Sequence, residues 1–265
     1  MLALLADLSS EEWALPTACP GWSVKDIVQH LYGVDVYQLS GGRDAYDAWL
    51  KGSAIATPRE GDFEALVTFI NQLNQQWVEA TRRISPQLLC QLLRFSGEAV
   101  VTYFDGLDLT AIGMAVSWAS PEPALVGLHV AREYTERWVH QQQIRDAVGR
   151  PGLKEPEFLG PVLATFVHGL RRAFHPVVSA DGTSVRLTIT GAAGGSWRME
   201  RWPDDGWVLT KDLDQPADAT FTLDQEPAWR LFTRAVSREE ARDQARIEGE
   251  QQLAERVFET VSIIA

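Results

Sequence analysis

The chain has 265 residues, of which 45% are hydrophobic and 23% charged, an ordinary globular balance that excludes extended disorder and allows a sizeable core. Its net charge of -12, from 36 acidic against 24 basic residues, argues against nucleic acid or an anionic membrane as partner, because the long-range field repels both. Two cysteines, Cys19 and Cys90, are too few for a disulfide framework and form no CxxC pair.

The first six residues are apolar but lack a basic start, and Asp7, Glu11 and Glu12 follow at once, so a secretory signal is not expected. No apolar run approaches the roughly 18–20 residues that span a bilayer. The expected compartment is the cytoplasm.

Residues 1 to about 175 read as helical. Leu2, Leu4, Leu5 and Leu8 predict a short first helix ending before Pro16, and Pro16 to Trp22 (PTACPGW) reads as a turn-rich connector. Ser23 with Asp26 three residues on resembles a capping box. A helix is therefore expected from Val24, with Ile27, Val28 and Leu31 on its apolar face and Gly41-Gly42 closing it or its continuation.

Phe63, Leu66, Phe69, Ile70, Leu73 and Trp77 fall at helical spacing and predict a helix over 63–84. Ser85-Pro86 starts the next one. Val100 to Phe104 fits either a strand or a helix. A long helix is expected over 121–148, closed by Gly149, and another over about 155–174.

The texture changes at Gly182. Ser184 to Thr190 alternates with period two, a half-buried strand. Gly195 to Trp202, then Asp204-Asp205-Gly206, then Trp207 to Thr210 read as a hairpin with a tight Asp-Gly turn. A strand over 219–223 and helices at about 226–236 and 250–263 complete an α+β half, with its sheet antiparallel or mixed.

Among the five histidines, His129 and His140 share the 121–148 helix with Glu133 and Glu136. At ~100° per residue these four side chains fall within about 60° of one helix face. Glu136 and His140 are one turn apart, the spacing that aims two side chains at a common ion. The same spacing also suits a solvated face. Arg137, Gln141, Gln142 and Arg145 line the other side of these turns, so Glu136 and His140 are not on the most polar side. His129 and Glu133 read either as pocket-lining or ligand-supporting groups, or as a solvated or interhelical pair. His168 and His175 read as structural, and Cys90, in an apolar run, as core. Cys19 reads as filler of the connector, with a redox or ligand role left open, and Trp22 as a staple on the helix it precedes.

The segment from Pro16 to Leu31, PTACPGWSVKDIVQHL, resembles the N-terminal signature of the mycothiol-dependent maleylpyruvate isomerase-like family, a branch of the DinB-like helical bundles. Proline-threonine, glycine-tryptophan, a basic-acidic pair and histidine-leucine all have a match. A second signature matches Glu136 and His140, with Ala147 and Gly149 beyond. Residues 217–231 and 247–254 resemble the family's second, sterol-carrier-like domain.

The resemblance implies a DinB-like four-helix bundle over 1–178 and a smaller sterol-carrier-like α+β domain over 179–265. It implies that His30, Glu136 and His140 hold a divalent metal, zinc by analogy. Two neutral imidazoles and one carboxylate leave a coordination position open, as in catalytic rather than structural zinc sites. In relatives, mycothiol enters that position and adds to an activated double bond, and rotation followed by elimination gives the isomer. Other members transfer the thiol instead.

One departure stands out: relatives often carry aspartate three residues after the second histidine, where this chain has Gln143. Gln143 can accept a hydrogen bond from imidazole, but it lacks the charge that raises ligand basicity. Gln143 and His129 are the candidates for supporting the cofactor site, and Glu133 is the candidate proton carrier. Arg230 and Arg234 fall where relatives present an arginine to an anionic substrate, and they read otherwise as helix-surface arginines.

The expected function is thiol-dependent isomerisation or S-transfer on a small electrophilic anion, by a monomer or homodimer. A non-catalytic metal or apolar-ligand sensor of the same fold is the alternative. Hydrolysis by metal-bound water ranks third, for want of a general base beyond Glu133.

Overall fold

The computed structural model describes residues 1–46, 62–211 and 215–262. Its N-terminal region is helical and a sheet-containing region follows. By contact the chain divides into two units, Met1–Leu109 with Glu136–Gly152, and Thr110–Thr135 with Leu153–Ile263.

In the first unit the expected opening helix is two, α1 (Leu2–Ala6) and α2 (Ser10–Trp13). The break is local. Ser9 and Glu12 form a reciprocal capping box that starts a new helix where periodicity alone suggested one continuous turn. The connector then folds back on itself. Pro16 bridges Ser23, and the Thr17 amide and hydroxyl both donate to the Trp22 carbonyl at 3.0 and 2.9 Å.

α3 (Val24–Tyr37) begins at the predicted Ser23–Asp26 capping box. The chain continues as a π-helical stretch over Gln38–Arg43, so Gly41-Gly42 lies at the end of the helix's continuation, the second of the two places expected for it. α4 (Phe63–Thr81) is capped by Asp62, and α5 (Pro86–Asp105) by Ser85 with Pro86 in its first turn. α5 takes in Val100 to Phe104, which are helical. Leu5, Trp13, Val24, Ile27, Val28, Leu31, Leu89, Leu93 and Ile144 are buried together as the core of this unit.

Gly33 shows how closely α3 and α4 meet. A Cβ there would stand 2.6 Å from Trp77 Nε1, whose N–H donates to the Gln29 carbonyl at 2.8 Å. Gly33→Ala must displace the indole and break that bond. The expected result is a loss of about 1–3 kcal/mol in urea unfolding. An unchanged midpoint would mean that the two helices separate freely.

Two strands ahead of the long helix were not anticipated. Ile112–Ala115 (β1) and Pro123–Leu125 (β2) form a small antiparallel sheet. α6 therefore runs Val126–Ala147 rather than from Pro121. The expected 155–174 helix is split into α7 (Pro156–Phe166) and α8 (Gly169–Phe174). The cause is tertiary. Ser262 Oγ donates to the Phe166 carbonyl at 2.6 Å, while the Leu170 amide turns to Val167 at 3.1 Å.

The main sheet consists of β3 (Ser184–Thr190), β4 (Gly195–Trp202), β5 (Gly206–Lys211), β6 (Ala219–Asp224) and β7 (Arg246–Gly249). Spatial order is β5-β4-β3-β6-β7, with β3 and β6 parallel and the remaining pairs antiparallel, so the sheet is mixed. Val185, Leu187 and Ile189 on β3 are buried in alternation, beside Phe221 and Leu223 on β6. α9 (Gln225–Phe232), α10 (Arg238–Arg242) and α11 (Gln251–Ala254), continued by a 3-10 turn over Glu255–Glu259, complete this unit. Phe232 meets Phe166 edge to face at 6.4 Å, and Phe258 meets Phe221 at 4.9 Å.

Candidate metal centre

His30 lies on the second turn of α3 and is buried (6% exposed) among the apolar residues that hold the helix down. Glu136 and His140 lie one turn apart on α6. Glu136 Oε1 stands 2.7 Å from His30 Nε2 and 3.0 Å from His140 Nε2. The two imidazole rings meet edge to face, 4.8 Å between centroids. One donor atom from each of the three residues lies within 4.8 Å of the other two.

The supporting contacts set which atoms face inward. His140 Nδ1–H donates to Gln143 Oε1 at 2.7 Å, which leaves Nε2 turned toward Glu136. The Cys19 thiol donates to the same Gln143 oxygen at 3.2 Å. Trp22 lies beside the His30 ring, tilted by 46° with 5.2 Å between centroids, and donates its indole N–H to Gln75 at 2.9 Å. The folded connector thus touches the surroundings of both histidines, through Trp22 on one side and Cys19 on the other.

The electrostatics of the three residues are unequal. Burial lowers the His30 pKa below its ordinary value and outweighs the hydrogen bond that the imidazole donates to Glu136. Burial works against charge on His140 too, but the Glu136 carboxylate and Cys19 overcome it and push His140 up to about 10. Glu136 is held well below the usual carboxylate range, because the two histidines outweigh the cost of its burial. Without a cation, the pair is an imidazolium bonded to a carboxylate.

This donor set fits a divalent metal. Two imidazoles and one carboxylate are borderline ligands suited to zinc and its neighbours. A histidine whose second nitrogen donates to a fixed carbonyl oxygen has the orientation that metal-binding histidines show. Gln143 supplies that oxygen by its amide.

The other sequence candidates lie elsewhere in the contact pattern. His129 Nε2–H donates to the Met114 carbonyl at 2.7 Å, and Glu133 is paired with Arg132 at 2.6 Å. Sharing a helix face did not bring either into the three-residue group. Arg234 follows α9 with φ +57°, a left-handed conformation rare outside glycine, and Arg230 stacks on Trp229 while pairing with Glu226 at 2.8 Å. Cys90 is half-buried, with its thiol pKa raised by that burial.

One polar group near the centre escaped the sequence reading. Asp35 is fully buried, and its carboxylate accepts from Ser96 at 2.5 Å and from Arg137. In sequence Asp35 looks like one more polar residue late in a helix. Arg137 was visible only as the polar neighbour of Glu136.

The domain described as "Mycothiol maleylpyruvate isomerase N-terminal domain" matches residues 1–145, more than half of the chain. The chain belongs to that family. A protein of Mycobacterium tuberculosis, found in two strains and uncharacterized, is 26% identical over 152 residues, or 56% of this chain. The matched stretch spans 51% of that relative, about half its length. The crystal structure of a mutant of the mycothiol-dependent maleylpyruvate isomerase superposes with TM-score 0.51 at 10% identity, over 94% of this chain and 88% of that one. At that identity the likeness is one of fold.

Proposed function

We propose that this protein is a divalent-metal enzyme that uses a low-molecular-weight thiol, mycothiol or a close equivalent, for isomerisation or S-transfer. The substrate is small, electrophilic and anionic. The observation that carries the reading is the convergence of His30, Glu136 and His140, from two helices far apart in sequence, with their donor atoms within 4.8 Å. Family membership supports the thiol.

His30 and His140 offer imidazole nitrogens, and Glu136 offers a carboxylate that cancels one unit of the cation's charge. Three protein ligands leave room for a further one, as catalytic sites do. A bound divalent cation would supply Lewis acidity and stabilise an entering thiol as its thiolate. Gln143 keeps the His140 ring turned inward, and Trp22 covers the His30 ring. Zinc is the metal best matched to this set.

Arg234 is the residue assigned to the anionic group of the substrate. Its left-handed backbone closes α9 as a C-cap, with the Ala235 and Arg234 amides donating to the Arg230 and Leu231 carbonyls at 2.7 and 3.0 Å. Glu133, buried one turn before Glu136, is assigned to proton transfer, and His129 to the border of the cofactor site. In chain order, residues 1–178 carry the metal and 179–265 the substrate-recognising part. No helix among the described residues is long and apolar enough to cross a membrane, and we place the protein in the cytoplasm.

The test is calorimetric titration of zinc-loaded and metal-free protein with mycothiol, bacillithiol and glutathione in turn. Heat of binding is expected for one of these thiols on the zinc-loaded protein alone. If no thiol binds, or one binds equally without zinc, the thiol-dependent reading is wrong.

A further inference from the structure

Asp35 is a costly residue for a bundle to bury. A carboxylate taken wholly out of water loses several kcal/mol of hydration, and an ion pair usually returns no more than this. Here both carboxylate oxygens are satisfied, Oδ2 by the Ser96 hydroxyl of α5 and Oδ1 by the Arg137 guanidinium of α6. Asp35 itself is on α3, so three helices meet at one carboxylate. The best-attested use of such a buried polar contact is to select one register among several that an apolar interface would accept.

Register matters at this place. Arg137 follows Glu136 directly, and Asp35 lies five residues after His30, about 7.5 Å along α3 at the helical rise. α6 is therefore tied to α3 at two points, by Glu136 on His30 and by Arg137 on Asp35. A single contact would let α6 roll, and one residue of roll is about 100° of rotation. Two contacts on neighbouring residues fix the rotation. Glu136 is itself a third exposed, at 32% of its side chain, so burial alone does not hold it between the imidazoles.

We propose that Asp35, with Arg137 and Ser96, is the positioning group of the centre: it fixes the rotation of α6 against α3 so that Glu136 falls between His30 and His140. The inference rests on the metal-centre reading. It adds that metal affinity depends on a carboxylate that is not itself among the three donors.

The experiment measures zinc affinity of the full chain by competition with a chromophoric chelator, alongside urea unfolding of the same metal-free proteins. Asp35→Asn and Arg137→Gln are each expected to weaken zinc about 10–100-fold, the range seen when groups supporting a metal ligand are lost. Arg137→Lys, which keeps a cation for Asp35, should restore affinity to within about fivefold of wild type. The double variant Asp35→Asn/Arg137→Gln should bind no worse than the weaker single, because both remove one contact.

A merely structural role would lower the urea midpoint and leave zinc affinity of the folded protein within about twofold. That result overturns the proposal and leaves the metal centre standing. Should Asp35→Asn fail to fold, Arg137→Gln and Ser96→Ala decide in the same way, since the Arg137 side chain is already one-quarter exposed, at 25%. If wild type itself takes up no zinc, the metal-centre reading falls and this proposal with it.

Discussion

Purified with zinc, the wild-type chain is expected to hold about one ion, and His140→Ala less than about a tenth of one. Among the described residues, His30, Glu136 and His140 are the donors that come together. Removing His140 leaves one imidazole and one carboxylate, too few to hold an ion against buffer and water. The loss should be specific. His175 is exposed and is not among the three donors, so His175→Ala serves as a control and should keep full occupancy. Elemental analysis of the three proteins side by side checks the expectation. Equal zinc in wild type and His140→Ala would place the metal elsewhere.

The second large effect is on pH. In the metal-free protein His140 is pushed up to about 10, with burial opposing the charge and Glu136 and Cys19 outweighing it. At neutral pH it therefore carries a proton that a metal must displace. Glu136 lies well below the usual carboxylate range, and burial lowers His30, so neither adds a second proton near neutrality.

Zinc binding should release about one proton, and affinity should rise about tenfold per pH unit from roughly pH 7 to 9 before levelling near the His140 value. Stability of the metal-free chain moves the other way at the alkaline end. A histidine whose folded pKa is raised stabilises fully below its ordinary value of 6.5, and that contribution fades as pH climbs through about 10. Glu136, lowered, adds stability above its ordinary value of 4.5 that is lost on acidification below it. Chelator competition over this range reads the slope. A flat profile would mean that His140 is already neutral when the metal arrives.

Much of the architecture was legible because local chemistry and final structure agree. Ser23 with Asp26, Ser85 with Pro86, and the Asp-Gly turn before Trp207 mark element ends by interactions that need no distant partner. Glu136 and His140 were legible for the same reason, since a one-turn spacing converges by helix geometry alone. His30 was not. Nothing local in α3 points to a partner 106 residues away, and only resemblance to a family brought it in.

What escaped was decided by tertiary contact. The break between α7 and α8 depends on Ser262 taking the Phe166 carbonyl, which no pattern near residue 166 encodes. Asp35 has an ordinary place in an amphipathic helix, and its partners come from two other helices. The shared face of His129, Glu133, Glu136 and His140 held too much. Periodicity fixes direction from the axis, but depth along the helix decides what each side chain meets.

Three protein donors are expected to hold one cation and leave a place for a thiol. X-ray absorption at the zinc edge, before and after adding the thiol, addresses this most directly. The expected first spectrum has only nitrogen and oxygen neighbours at about 2.0–2.2 Å, and the second gains one sulfur at about 2.3 Å. Sulfur present before any thiol is added, or no sulfur after it, would mean that the three donors do not form an open, thiol-accepting cation site.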